Sequence, residues 1–105
     1  MSYDVRTSSE TARDIEEAAF YKEGLGMMPE NVLKFKSDVV SAIRRLEESP
    51  KAGANLSSRI DIETNVKYNV IDDYILFYEI EGDVVKVVRL LPAKSNWMNV
   101  ILKYL

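Results

Sequence analysis

The basic side chains at the C-terminal end of the chain are the residues whose types and positions could act on a charged ligand. Asp83 is the last acidic residue of the 105-residue sequence. The basic residues that follow it are Lys86, Arg89, Lys94 and Lys103. Cations without acidic neighbours can contact a phosphate backbone locally. The formal net charge of −3 for the whole chain argues against nonspecific binding of nucleic acid.

The residue types that are absent narrow this chemistry. The sequence contains neither cysteine nor histidine, so it has no thiol nucleophile and lacks the commonest general base and metal ligand. The remaining groups that could move a proton are Lys67, Tyr68, Tyr104 and Glu63. The adjacent Asp72 and Asp73 lack the ligand spacing of a calcium loop, and we interpret them as turn formers. We therefore expect neither a metal nor a cofactor.

Arg89 is the cation whose neighbours are most informative. It lies between Val88 and Leu90 in an otherwise apolar run, and a charge in such a strand should be paired or should line a groove. The sequence leaves two partners open, a phosphate group and a carboxylate such as Glu79 on the neighbouring strand. Lys67 and Lys94 have two interpretations in the same way, as cations of a site or as solvated charges.

The candidate residues for binding a nucleic acid are Arg44, Arg45, Lys94, Trp97 and Lys103. Arg44 and Arg45 could line a basic helix face, but a solvated face paired with Glu47 and Glu48 explains them as well. Trp97, like Tyr104, could stack on a base. An aromatic residue in a short terminal helix is more often the anchor that packs the helix on a sheet.

Hydrophobic periodicity predicts a strand followed by a helical hairpin in the first half of the chain. Residues 2–7 alternate as a short strand, and Thr7 with Glu10 fits a capping box that begins a helix running to about Tyr21. The predicted apolar stripe of this helix is Ala12, Ile15 and Ala19. Gly24 and Gly26 end it. Pro29 begins a second helix to Glu48, with an apolar stripe of Val32, Phe35, Val39, Ile43 and Leu46.

The second half is predicted to be rich in strands. Residues 49–57 have the composition of a loop. The predicted strands are Val66–Ile71, Tyr74–Ile80 and Val84–Leu91. The second of these is apolar on both faces and should be central, and Asn96 could cap a short last helix. The predicted fold class is α+β: an N-terminal strand, a helical hairpin packed on an antiparallel sheet of three to four strands, and a short C-terminal helix, in a single domain over residues 1–105.

The sequence predicts no membrane segment and no secretion signal. No apolar run approaches the length of a membrane span. The N-terminal residues 1–6 contain no apolar core of a signal peptide. We therefore expect a cytoplasmic protein.

Four motifs in order resemble the RelE/ParE family of toxins. The run Val66-Lys67-Tyr68-Asn69-Val70-Ile71-Asp72-Asp73-Tyr74-Ile75-Leu76-Phe77-Tyr78 is similar to the central hairpin of that family. Val87-Val88-Arg89-Leu90-Leu91 followed by Lys94-Ser95-Asn96-Trp97 looks like its C-terminal ending. Ala12-Arg13-Asp14-Ile15 and the run from Leu46 to Gly53 resemble its upstream motifs. Lys67 stands where the family usually has Arg, and Asn96 where Asp is common.

The resemblance implies the toxin of a bacterial type II toxin–antitoxin system, a class associated with plasmid stabilisation. It leaves three activities open: ribosome-dependent cleavage of mRNA, inhibition of DNA gyrase by binding, and an attenuated toxin that only binds its antitoxin. Cleavage would make the chain a metal-independent endoribonuclease (an mRNA interferase), with Lys67, Arg89 and Lys94 as the catalytic cations. The implied partner is a cognate antitoxin, docked on the hairpin and on the edge strand of residues 2–7. A free apolar patch there would also permit a homodimer.

Overall fold

The computed structural model describes residues 2–105. The strands are β1 Asp4–Thr7, β2 Ala54–Asn55, β3 Val66–Ile71, β4 Tyr74–Glu81 and β5 Val84–Pro92. The helices are α1 Ser9–Gly24, α2 Pro29–Arg45, α3 Ser57–Ile60 and α4 Trp97–Tyr104, and a 3-10 turn covers Pro50–Ala52. The α+β class, the N-terminal strand, the helical hairpin and the C-terminal helix are confirmed.

The strands form one sheet in the order β1-β5-β4-β3-β2. The last three strands are an antiparallel meander, as predicted. The sheet has five strands rather than three or four, because β1 adds to β5 in parallel and the two-residue β2 adds to β3. Left-handed φ angles at Asp72 (53°) and Gly82 (61°) close the two hairpins of the meander, and the interpretation of Asp72 as a turn former is confirmed.

Helices cover both faces of the sheet, so β4 is buried on both sides as its sequence predicts. One core lies under the α1–α2 hairpin and includes Phe35, Val39, Leu76 and Tyr78. The other core lies under α3 and α4 and includes Ile75, Phe77, Trp97 and Ile101. The alternation of β4 side chains between the two cores places this strand at the centre.

Helix α2 buries the predicted stripe with one difference. Ile43 is only partly buried, and its neighbour Ala42 is buried instead. Helix α1 differs from the prediction. Its cap is Ser8, whose hydroxyl accepts a hydrogen bond from Thr11 N at 3.0 Å, because Thr7 is held in β1 opposite Val87. Ala12 is exposed.

The buried stripe of α1 is largely polar, with Thr11, Asp14 and Lys22 beside Ala18 and Ala19. Because three of these five side chains are polar, the stripe has no apolar periodicity in the sequence. The helix also continues to Gly24 rather than Tyr21, and α2 ends at Arg45 rather than Glu48.

The predicted loop at residues 49–57 contains structure that the sheet holds in place. The hydroxyl of the buried Tyr78 donates to Pro50 O at 2.6 Å. A Cβ atom at Gly53 would lie 2.0 Å from that hydroxyl, so only glycine permits this close approach. Leu56 is fully buried in the second core. These contacts are tertiary, which explains why the composition of the segment indicated only a loop.

Candidate functional site

The candidate site lies where β5 extends beyond the end of β1, its parallel neighbour. β1 pairs with β5 only from Val84 to Val87, which leaves the outer edge of β5 free beyond that point. Side chains of α1 and of its N-cap Ser8 take the place of the missing strand. Ser8 Oγ donates to Val88 O at 3.0 Å, and Thr11 Oγ1 donates to Val87 O at 3.4 Å. The polar stripe of α1 therefore closes the sheet edge.

Asp14 completes this edge and also binds Arg89. One carboxylate oxygen accepts from Leu90 N at 3.0 Å and from Arg89 Nε at 2.7 Å, and the other accepts from Arg89 Nη2 at 2.9 Å. The Asp14 side chain is 6% exposed and that of Arg89 is 29% exposed. The hydrogen bonds that Arg89 donates to Asp14 raise the pKa of Arg89 above its ordinary value, so the guanidinium stays charged.

The partner of Arg89 is thus a carboxylate, one of the two alternatives that the sequence left open. It is Asp14 of α1 rather than Glu79, whose carboxylate accepts instead from the hydroxyl of Tyr104. Sequence reasoning missed Asp14 as a functional residue. The signal that could have found it is its spacing from Thr11 and Ala18, which places a carboxylate on a buried helix face.

A cavity of about 650 Å³ lies between α1 and the end of β5. Arg89 and Lys94, two of the predicted catalytic cations, both line it. Its lining also includes the acidic residues Asp14, Glu17 and Asp73 and the aromatic residues Tyr21 and Tyr74. The cavity therefore combines two cations with three carboxylates and is not a purely basic pocket.

A smaller cavity of about 410 Å³ lies on the other side of Arg89. Lys103 and Tyr104 of α4 line it together with Ser8 and Glu10. Burial and the hydrogen bond to Glu79 raise the pKa of Tyr104, so its hydroxyl keeps its proton and is not poised to act as a base.

Lys67 lies apart from these cations. Its ammonium group donates to Asn55 Oδ1 at 2.8 Å across the β2–β3 pair, and it lines neither of the two cavities. The three predicted catalytic cations therefore do not meet at one point, since only Arg89 and Lys94 share a cavity.

The residues predicted to bind a nucleic acid are also spread over the surface rather than gathered in one place. Arg44 and Arg45 are exposed in the last turn of α2, away from the Arg89 cavities. Trp97 is only 8% exposed. Its ring packs on Phe77 with centroids 5.5 Å apart, and the Arg59 guanidinium lies 5.5 Å from the Trp97 ring centroid. This packing makes Trp97 the anchor of α4 on the sheet.

Within residues 2–105, no group of three or more carboxylates is placed to hold a metal ion. Over the same range, no helix combines the length and apolarity needed to cross a membrane. Asp73 contributes an ion pair instead, with the buried Lys22 at 3.1 Å.

Comparison with known proteins places the chain in a family. Residues 5–97 fit the family model described as the ParE toxin of the type II toxin–antitoxin system parDE. The chain belongs to the ParE toxin family. No protein of curated function matches the chain by sequence.

Solved structures of toxin–antitoxin pairs share the fold of this ParE family member. A chain of the chromosomal ParDE system from P. aeruginosa superposes with a TM-score of 0.73 at 17% identity, over 89% of this chain and 98% of that chain. The archaeal RelE–RelB complex from Pyrococcus horikoshii OT3 gives a TM-score of 0.60 at 15% identity, over 90% and 99%. The RelBE2 complex from Mycobacterium tuberculosis gives 0.56 at 17% identity, over 88% and 99%.

Proposed function

We propose that this chain is the toxin of a two-component toxin–antitoxin system and that it acts by binding DNA gyrase, without breaking a bond itself. The observation that carries the proposal is the pairing of Arg89. Asp14 accepts hydrogen bonds from two of its nitrogens, so the guanidinium charge is already matched by a carboxylate within the chain. Membership of the ParE family supports the binding branch over the ribonuclease branch.

The arrangement of the other cations supports binding over cleavage as well. Cleaving RNA at a phosphate requires cations that converge on the developing charge and a group that moves a proton. Lys67 lies outside the cavity that Arg89 and Lys94 share. The carboxylates of Asp14, Glu17 and Asp73 line that cavity and would repel a phosphate. The sequence offers no histidine to carry the proton.

We also propose that a cognate antitoxin is the partner of this toxin, since the structural neighbours come from ParDE, RelE–RelB and RelBE2 pairs. The surfaces that suit an extended segment are the outer edge of β1 and the 650 Å³ cavity between α1 and β5. A segment that becomes ordered on binding can cover both.

Expression of the chain alone from a tightly controlled promoter tests the proposed function. We expect DNA synthesis to stop before protein synthesis in pulse labelling, with induction of the SOS response. The matched variant carries both Lys67→Ala and Lys94→Ala. It removes two of the predicted catalytic cations, one partly exposed and one exposed, and it should remain as toxic as the wild-type chain. Arg89 is unsuitable for this test because its ion pair supports the fold.

The opposite order of events would replace the proposal. If protein synthesis stops first, with messages cleaved on ribosomes, and the double variant is harmless, the chain is an mRNA endoribonuclease. If cells grow normally while soluble, folded chain accumulates, the chain is an attenuated toxin that only binds its antitoxin.

A further inference from the structure

The tip of the α1–α2 hairpin carries large apolar side chains that the described part of the chain leaves uncovered. The hairpin tip is defined as residues 20–33, which comprise the end of α1, the connecting turn and the first turn of α2. Phe20, Leu25 and Leu33 are 79%, 70% and 67% exposed. A Cβ atom at Gly24 would meet nothing within 4 Å, so the turn projects into solvent. Exposed apolar patches of this kind mark interaction sites.

We propose that the hairpin tip is the surface with which the toxin contacts the protein that it inhibits, and that the target receives the tip in an apolar pocket rimmed by lysine or arginine side chains. This inference rests on the proposed function in one respect, that the toxin acts by binding a protein. It adds the part of the toxin that makes the contact and the chemistry of the site that receives it.

The charges of the hairpin tip are the first support, because those that reach solvent are all acidic. Glu23 and Glu30 are exposed, and neither forms an ion pair among the described residues. The only basic residue within residues 20–33 is Lys22, which is buried and paired with Asp73 at 3.1 Å. Two unpaired carboxylates beside apolar side chains are complementary to an apolar pocket with a basic rim.

The charges next to the tip leave this balance acidic. The ammonium groups of Lys34 and Lys36 are each bound to a carboxylate, at 3.0 Å and 2.9 Å. A groove of about 920 Å³ leads from the tip between the two helices, and Glu17 on its wall adds another carboxylate. Arg13 also lines this groove, but it lies about two helical turns before Phe20. A second tip, like an anionic lipid surface, would therefore meet this one with charges of the same sign.

The position and shape of the tip are the second support. α1 has 16 residues and spans about 24 Å at roughly 1.5 Å per residue, which separates the tip from the β1 edge where we place the antitoxin. Of the tip residues, only Tyr21 lines the 650 Å³ cavity. An extended segment that becomes ordered on binding needs a groove or a strand edge, whereas a projecting turn fits a pocket on a folded protein. The tip therefore suits a folded target better than the antitoxin.

Supercoiling by purified DNA gyrase, together with the growth of cells that express the chain, tests the inference with two double variants. Phe20→Glu with Leu25→Glu places charges in the apolar surface and should raise the concentration for half-inhibition by about tenfold or more. Glu23→Lys with Glu30→Lys reverses the charges that face the basic rim and should raise it by about threefold or more. Both variants should arrest growth less than the wild-type chain does.

Matched controls carry the same kinds of change outside the tip. Val70→Glu places a charge on an exposed apolar residue of β3, and Glu47→Lys with Asp83→Lys reverses two exposed carboxylates. Both controls should inhibit as strongly as the wild-type chain. Unchanged circular dichroism and urea unfolding will show that the tip variants fold.

The outcomes separate this inference from the proposed function. Tip variants that remain as potent as the controls in both assays overturn the inference. A wild-type chain that arrests growth without affecting gyrase overturns the proposed function, and a loss of that arrest in the tip variants still supports the inference. A chain with neither effect overturns both. Binding to phosphatidylglycerol vesicles that Phe20→Glu with Leu25→Glu abolishes assigns the tip to a lipid surface and overturns the inference.

Discussion

Removal of the Asp14 carboxylate is the sharpest test of how the site is built. Asp14→Ala deprives the buried Leu90 N–H of its acceptor and leaves the Arg89 guanidinium without a partner. An unsatisfied buried N–H costs about 1–3 kcal/mol. Arg89 is 29% exposed, so its unpaired guanidinium can be hydrated in part. Leaving this charge without a partner therefore costs about 1 kcal/mol rather than the larger cost of breaking a fully buried pair.

We therefore expect Asp14→Ala to lower the free energy of unfolding by about 2–4 kcal/mol, a large share of the roughly 5–15 kcal/mol typical of a domain. Urea unfolding followed by the fluorescence of Trp97, the single tryptophan, measures this change. The unfolding midpoint should fall by roughly 1–2 M at the usual dependence on urea for a small protein.

Two further variants separate the parts of this effect. Asp14→Asn keeps an acceptor for Leu90 N–H and loses the charge, so it should cost about half as much as Asp14→Ala. Asp4→Ala breaks the Asp4–Arg6 pair, whose side chains are both exposed, and should cost less than about 1 kcal/mol. A loss for Asp14→Ala no greater than that of Asp4→Ala would refute the structural role of the Asp14–Arg89 pair.

Three other substitutions or conditions have definite expected outcomes. Gly53→Ala should lower the free energy of unfolding by about 2 kcal/mol or more, because its Cβ would clash with the Tyr78 hydroxyl. In the same urea assay Gly24→Ala should be neutral, because a Cβ there meets nothing within 4 Å. Equal costs for the two variants would contradict the close approach of Tyr78 to Gly53. Trp97→Ala should lower the free energy of unfolding by about 3 kcal/mol, because it opens the second core, and it should increase amide hydrogen exchange in α4. Met98→Ala is the control, since Met98 is exposed and should tolerate alanine. Slow exchange in both variants would show that Trp97 is not the anchor. Burial raises the pKa of Tyr78 above its ordinary value of 10.0, so the folded chain holds this proton more tightly than the unfolded chain. The contribution of Tyr78 to stability should therefore be constant below about pH 10 and then be lost at up to about 1.4 kcal/mol per pH unit until the folded pKa is passed. Urea titrations at several alkaline pH values should show a shallower fall in stability for Tyr78→Phe than for the wild-type chain, and an unchanged slope would argue against this contribution.

The parts of the fold that sequence periodicity predicted are those held by apolar burial. The stripe of α2 repeats at helical spacing, and β4 is apolar on both faces, so each pattern has one structural solution. The cap of α1 was predicted one residue early, because the pairing of Thr7 with Val87 is a tertiary contact that overrides a local capping signal.

The elements that sequence reasoning missed depend on contacts between distant residues. The two residues of β2 are a strand only because β3 lies beside them. The pairing of Asp14 with Arg89 joins residues 75 positions apart. No local pattern reports such a pair, although Arg89 in an apolar strand correctly indicated that a partner must exist.

The predicted catalytic cations fall into two groups, according to whether they are close in sequence or only brought near by the fold. Arg89 and Lys94 lie close in sequence at the end of one strand, and they line one cavity. Lys67 belongs to a strand on the other side of β4. Lys67 does not share the cavity that Arg89 and Lys94 line, and a catalytic role for it stays a prediction that depends on the ribonuclease branch of the family.

The central claim, that this ParE family member inhibits its target by binding, is tested most directly with purified chain, DNA gyrase and relaxed plasmid. We expect supercoiling to be inhibited, the double variant Lys67→Ala with Lys94→Ala to inhibit equally well, and messages on translating ribosomes to remain intact. Unaffected gyrase, together with mRNA cleaved on ribosomes by the wild-type chain but not by the double variant, would contradict it.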